Sequence, residues 1–502
     1  MRRSVRRAGR KRVSGASGRK GPIVPKEPLD EQAIRRTVGE AGQGHVFRFW
    51  KDLPEEGRRR LLANLADVDW DELAALVRQH VIQRRPLELP PDLEPAPYIP
   101  LPRTGADHAQ RRRMHQRGEE RIAAGQVAAF VVAGGQGTRL GFDGPKGDFP
   151  ISPVKNKTLF QIFADTIAAV SQKYQTVCPW YIMTSPLNHS RTIEIFRSKD
   201  YYGLDAKNVF IFQQGTLPNF NSDGKILLAD RANIACSPDG HGGSLKALCQ
   251  SGALADMKRR GVEFLSYWQV DNPLVNIFDP LFIGLHALDE AQMSSKAVIK
   301  AGPKEKVGNF CLIDGRITVI EYSDLPDKLA ECRNPDGSLA FQLGSIGIHI
   351  INRTFVEKLS AKDFCLPLHR AVKKIPHTDE QGSPVESDGI KLESFVFDAI
   401  PLAAKSIILE TLRSEEFAPT KNAAGVDSVE TTKQMMVARA AAWLESAGVP
   451  VPRKPDGSVG CPLEIAPSFA LEKEDVREKL NQIPKIKPGD RIYLTTKFKN
   501  KK

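Results

Sequence analysis

From Val127 onward the chain alternates short, mainly apolar runs with longer stretches whose apolar residues recur every three or four positions. The runs fall at 127–133, 180–184, 208–213, 263–270 and 296–300, and the helical patterns near 158–172, 188–199, 243–260 and 279–290. Strands without a polar face are buried on both sides. Their alternation with helices predicts an α/β fold whose largely parallel sheet is covered on both faces. Around 310–322 the period shortens to two, with Asp314-Gly315 as a hairpin turn, so a mixed sheet is expected. Another apolar segment lies at 395–412. Upstream, one helical pattern runs from Pro54 through Leu61, Leu62 and Leu65. A second opens at Asp69-Trp70-Asp71-Glu72, a capping-box spacing, before Leu73, Leu76 and Val77. Pro86 to Pro102 holds seven prolines in seventeen residues and must run extended, as a strap ahead of a charged helix at 106–124. After Lys421 come one helix near 429–446 and then Pro/Gly-rich short segments. The expected division is a disordered basic tail (1–27), a helical region with the proline-rich strap (28–115), an α/β core (116–412) and a small C-terminal domain (413–502).

Charge changes this picture only at one end. The net charge is +12, yet ten Lys or Arg and no acid lie in residues 1–26, so the other residues are close to neutral. A tail rich in Arg, Gly and Ser is expected to be disordered and could touch RNA or another polyanion non-specifically; a plain solvated extension explains it equally well. No apolar run approaches the ~18 residues of a membrane span, and the N-terminus lacks a signal peptide's apolar region. Seven cysteines without a CxxC pair argue against a disulfide framework and against zinc. The expected compartment is the cytoplasm.

The strongest chemical signal follows the first predicted strand: Val131-Val132-Ala133-Gly134-Gly135-Gln136-Gly137-Thr138-Arg139-Leu140-Gly141, then Gly144-Pro145-Lys146-Gly147. Three glycines in four positions let backbone approach a phosphate, and Arg139 and Lys146 bring two cations to the same turn. This describes a triphosphate site at the C-terminal edge of a doubly wound sheet. A P-loop is excluded because no GxxxxGK[ST] string occurs. A dinucleotide fingerprint is excluded by the glycine spacing and by Lys155-Asn156-Lys157 where an acid should lie.

GGQGTRLG followed by PKG resembles the signature of the UDP-sugar pyrophosphorylase family, in particular its UDP-N-acetylhexosamine pyrophosphorylase branch. The likeness continues in order over about 125–425. It takes in Phe212-Gln213-Gln214-Gly215, Pro238-Asp239-Gly240, Val270-Asp271-Asn272, Glu321-Tyr322-Ser323, Gly389-Ile390-Lys391-Leu392-Glu393, Phe395-Val396-Phe397-Asp398 and Glu416-Phe417-Ala418-Pro419 with Lys421-Asn422-Ala423. The resemblance implies a Rossmann-like nucleotidyltransferase core that joins UTP and a sugar 1-phosphate, giving UDP-sugar and pyrophosphate, with Mg²⁺ (or Mn²⁺) as cofactor. It implies Val132, Ala133, Gly134, Gly135 and Lys146 at the nucleotide, Gln214 and Gly240 at the uracil, and Asp271 at the metal. Lys391 and Lys421 would bind phosphates, Glu321 and Tyr322 would line the sugar, and Arg139, Lys146 and Lys421 would carry the catalytic charge.

The chemistry agrees. A sugar phosphate is already dianionic near neutral pH and needs no general base, so the reaction asks for charge neutralisation as a dianion meets a tetra-anion. Mg²⁺ needs only one or two protein carboxylates, so a lone Asp271 suffices. The chain departs from the branch at two sugar-side positions: His241 stands where an Asn is usual, as in the UDP-glucose branch, and Ser345 where another Asn is expected. N-acetylglucosamine 1-phosphate is the expected partner of UTP, with glucose or galactose 1-phosphate as the alternative. A catalytically idle UDP-sugar-binding regulator is a third reading, which the retained cations disfavour.

Overall fold

The structure, a computed structural model, describes residues 30–83, 89–90, 93–360 and 366–496. The basic tail and part of the proline-rich strap lie outside the described residues. The central sheet is built from nine strands: β1 (Val127–Val132), β2 (Trp180–Thr184), β3 (Val209–Gln213), β4 (Phe264–Gln269), β5 (Met293–Ile299), β6 (Gly308–Ile313), β7 (Arg316–Ile320), β8 (Leu343–Asn352) and a strand at Ser406–Glu410. Glu94–Pro95, from the strap, adds an edge to β6. One half, β3-β2-β1-β4, is wholly parallel. In the other half β8 runs antiparallel to β4, β5 and β6, while β5 takes Ser406–Glu410 in parallel.

The apolar runs at 127–133, 180–184 and 263–270 become β1, β2 and β4, whose side chains are almost all buried, as strands covered on both faces require. The 310–322 alternation is the β6/β7 hairpin, turned by Asp314 (φ 48°) and Gly315 (φ 71°). The helical stretch at 243–260 is instead two helices, Gly243–Gln250 and Ala253–Arg259, because Gly252 stands at φ +81° and ends the first. Asp69 caps the Trp70–Leu76 helix by accepting from Glu72 N at 3.0 Å. Periodicity missed β8 and a long hairpin, β9 (Leu368–Thr378) with β10 (Pro384–Ser394). That hairpin is mostly exposed and polar, so no apolar period marks it.

The hairpin base, with Leu392 and Ile390, packs on the N-terminal helices through Leu61, Leu65 and Trp70. Residues 440–494 have an apolar core of their own, around Leu444, Leu463, Phe469 and Val476. Its Glu464 accepts from Val154 N and Lys155 N (2.8 and 2.9 Å) and so fastens this unit to the loop after Lys146.

Candidate active site

The crevice lies at the C-terminal ends of β1 and β4, where the strand order turns from parallel to antiparallel neighbours. Val132 ends β1, and the glycine loop leaves it with its carbonyls tied back. Asn188 Nδ2 donates to Ala133 O and Gly135 O (2.9 and 3.2 Å), Ser185 Oγ to Gly134 O (2.8 Å), and Lys146 N to Gly135 O (3.0 Å). A Cβ on Gly134 would stand 2.6 Å from Gln214 Oε1, so a larger residue would have to push the Gln214 amide aside. A Cβ on Gly135 would meet nothing within 4 Å; this glycine borders open space where a phosphate can reach the backbone.

Gln214 carries the next wall. Its Nε2 donates to Asp239 Oδ1 (3.1 Å) and to Gly240 O (3.4 Å). Gly240, at φ +85°, lies so close to the end of β10 that a Cβ would meet Ser394 O at 2.3 Å. Burial pushes the Asp239 carboxyl up, against the hydrogen bond from Gln214. Lys391 stands on β10 and pairs with Glu393 (2.9 Å), which adjoins Gly240 on the nucleotide side.

Four charges share the phosphate region. Lys146 Nζ is 3.8 Å from Asp271 Oδ2, at side-chain exposures of 8% and 15%. Burial lowers the Lys146 ammonium pKa, Asp271 opposes this, and the positive charges of Arg139 and Lys421 add to the lowering. Lys146 thus stands between one carboxylate and two further cations, a positive cluster that a triphosphate would balance. Lys421 also faces Asp427 at 3.6 Å. Among the described residues no group of three or more His, Cys, Asp or Glu could hold a metal alone. A single carboxylate beside a phosphate site nevertheless fits Mg²⁺, which keeps waters and takes phosphate oxygens as its other ligands.

Beyond Asp271 the wall is made of side chains: Gln269, Lys306, Glu321, Ser345, Lys421 and His241, with Val396 and Phe397. His241 Nδ1 accepts from Val396 N (3.0 Å), which leaves Nε2–H as a donor only. Its ring stacks on Phe395 (5.2 Å, 26°), which also packs against Phe397 (5.0 Å) and stacks on His369 (4.4 Å, 29°), itself bonded to Asp398 (2.9 Å). Burial, then His369, lowers the His241 pKa to about 4, so it is neutral near pH 7. Burial and then Asp324 raise the Glu321 carboxyl, while His369 and Lys421 oppose. Tyr322 is 45% exposed and outside the crevice lining.

The structure therefore brings together Gly134, Gly135, Gln214 and Gly240 on one side and Lys146, Asp271, Glu321, Ser345, His241 and Lys421 on the other. Arg139 is exposed and acts on Lys146 through charge. Sequence reasoning did not single out Gln269, Lys306 or His349, nor the pair Ser185 and Asn188 that holds the loop. Of these, Ser185 carried a usable signal, as a polar residue directly after an apolar strand.

Known proteins fit this geometry. A sequence profile described as UTP–glucose-1-phosphate uridylyltransferase matches residues 66–500. The chain is 41% identical over 437 residues to a Homo sapiens UDP-N-acetylhexosamine pyrophosphorylase-like protein 1, covering 83% of this chain and 86% of that one. It is 35% identical to the Saccharomyces cerevisiae UDP-N-acetylglucosamine pyrophosphorylase, covering 82% and 90% of the two chains. A crystal structure of uridine diphosphate N-acetylglucosamine pyrophosphorylase from Trypanosoma brucei, in complex with an inhibitor, superposes with a TM-score of 0.79 at 25% identity, covering 94% of this chain and 99% of that one. The glycine loop, the cation-ringed carboxylate and these likenesses agree: the chain belongs to the UTP–glucose-1-phosphate uridylyltransferase family of UDP-sugar pyrophosphorylases.

Proposed function

We propose that this family member joins UTP to N-acetylglucosamine 1-phosphate, with Mg²⁺ held at Asp271, and works in the cytoplasm. The observation that carries the reading is the Lys146–Asp271 contact beneath the glycine loop, with Arg139 and Lys421 adding charge. An oxygen of the sugar phosphate attacks the α-phosphorus of UTP in line, the bond to the β-phosphate oxygen breaks, and pyrophosphate leaves. Lys146 and Arg139 offset the charge of the triphosphate and its departing pyrophosphate; Lys421 offsets that of the incoming dianion. Mg²⁺ at Asp271 would neutralise and orient phosphate oxygens. Gln214 and the Gly240 backbone offer the uracil its edge contacts. Because Asp239 takes one Gln214 amide hydrogen, the orientation of that amide is set before the base arrives.

The N-acetylated sugar is favoured by relatives whose names specify it, at 34–35% identity over more than four-fifths of this chain. His241 and Ser345 argue for a relaxed choice, since a donor-only imidazole and a short hydroxyl replace two amides. The cytoplasmic reading rests on the sequence; in addition, no helix of the described residues is long and apolar enough to cross a membrane. The test is pyrophosphate release from UTP and N-acetylglucosamine 1-phosphate in the presence of Mg²⁺. Release that needs both substrates and the metal is expected; none with any sugar 1-phosphate would overturn the reading.

A further inference from the structure

Lys296, in the middle of β5, has no exposed surface. Its Nζ lies 2.6 Å from Asp279 Oδ2 and 2.5 Å from each carboxylate oxygen of Glu416. Burial works against the ammonium, but Asp279 and Glu416 outweigh it and raise its pKa. Three buried charges are a poor way to stabilise a core, because desolvation consumes much of what pairing returns, and apolar residues of similar volume often serve as well. What an apolar trio cannot do is hold Glu416 in one position at hydrogen-bond precision.

Glu416 is the start of the segment that carries Lys421. Its side chain is also held by Thr411 Oγ1 (2.9 Å), and its backbone carbonyl accepts from Asn272 Nδ2 at 2.7 Å. Asn272 follows Asp271 directly, and its Oδ1 accepts from Ala418 N at 3.1 Å. Thr420 N donates to Asp271 O at 2.8 Å. Behind both loops Arg439 donates to Leu274 O and Glu415 O (2.8 and 3.0 Å). The two loops that present Asp271 and Lys421 are thus laced together, and Lys296 grips the lacing from below. Neither Lys296 nor Glu416 lines the crevice.

We propose that Lys296 and Glu416 are positioning residues for uridylyl transfer: their buried ion pair fixes the Phe417–Lys421 segment against Asp271–Asn272 and so sets the spacing of carboxylate and ammonium around the reacting phosphates. The proposal rests on the reading of Asp271 and Lys421 given above. Lys296→Met with Glu416→Leu replaces the pair by apolar side chains, leaving Asp279 to cap its helix through Leu281 N. The expected result is a folded protein whose kcat falls by ~tenfold or more while KM for UTP moves by less than ~threefold. Adding Asn272→Ala to that variant should cost far less than it costs the unaltered protein, because both act through one linkage. The rise in Tm caused by UTP should keep its metal-free part and lose most of the increment that Mg²⁺ adds. If the paired variant does not fold, Glu416→Gln is read by the same criteria. A folded variant with kcat within ~threefold of the unaltered protein, or losses that simply multiply with Asn272→Ala, would overturn the proposal. Asp271→Asn separates the two failures: if it is inactive while the clamp variants are fast, only the positioning role falls, and if it is fully active the assignment beneath it falls as well.

Discussion

On the nucleotide side of the crevice the wall is largely backbone, with the Gln214 and Lys146 side chains set into it; on the sugar side it is largely side chains. The glycine loop is pinned by Ser185, Asn188 and Lys146, and Gly134 and Gly240 pack so closely that a methyl group would collide with Gln214 or Ser394. The opposite wall is made of the side chains of Glu321, Ser345, His241 and Phe397. Backbone geometry is inherited with the fold, whereas a side-chain wall can drift one residue at a time. The lesson is that this chain should be strict about the nucleotide and lenient about the sugar.

Charge at the junction of the two halves should show the largest effect. Asp271→Asn keeps the shape and removes the carboxylate that faces Lys146; turnover should fall by ~10³ or more with Tm little changed. Lys146→Ala should cost ~10²–10³ in kcat, the scale of one preorganised electrostatic contact. If steady-state kinetics with Lys146→Ala show a change only in KM for the sugar phosphate, the cation belongs to the other half.

The next effect tests strictness. Gly134→Ala would put a methyl group against the Gln214 amide, so KM for UTP should rise about tenfold, near the ~1–2 kcal/mol of a spoiled hydrogen bond, with a smaller change in kcat. A KM unchanged in titrations with UTP would mean that Gln214 does not read the base.

Leniency is tested at His241. Its Nε2–H can donate but not accept, while an Asn amide can do both. The ratio of kcat/KM between N-acetylglucosamine 1-phosphate and glucose 1-phosphate should stay below about a hundredfold, and His241→Asn should move it toward the N-acetylated sugar. A ratio above a thousandfold in the unaltered protein would place specificity in contacts other than His241 and Ser345.

The last effect is on stability rather than turnover and lies beneath the sugar-side strands. His286 and His349 have no exposed surface, and burial lowers their pKa values to about 4 and about 3. The unfolded chain, with His near ~6.5, takes up protons first as pH falls. The stabilisation is therefore full above about pH 6.5 and is lost on going toward pH 4, at up to ~1.4 kcal/mol per pH unit for each group. Denaturant midpoints between pH 7.5 and 5 should fall, and His349→Gln should flatten the slope; an unchanged slope would contradict this.

How much was legible beforehand follows the same division. Strands β1, β2 and β4 announce themselves because strands buried on both faces are apolar at nearly every position, and the glycine loop and Asp271 follow directly on the ends of β1 and β4. The sugar side is assembled from β7, β8 and the β10 end, segments far apart in sequence and brought together only by pairing such as Gly308 with Ser345. No local period could show that His241 stacks on Phe395 or that Val396 N fixes its tautomer, since those contacts span more than 150 residues. Lys296, one lysine among many in the sequence, becomes informative only once its burial between Asp279 and Glu416 is seen.

The most direct test of this account is pyrophosphate release measured over a grid, UTP, ATP, GTP and CTP against N-acetylglucosamine, glucose and galactose 1-phosphates, with Mg²⁺ present. The account predicts one active nucleotide row, UTP, with N-acetylglucosamine 1-phosphate leading and glucose 1-phosphate within about a hundredfold in kcat/KM. A grid strict along the sugar axis and permissive along the nucleotide axis would contradict it.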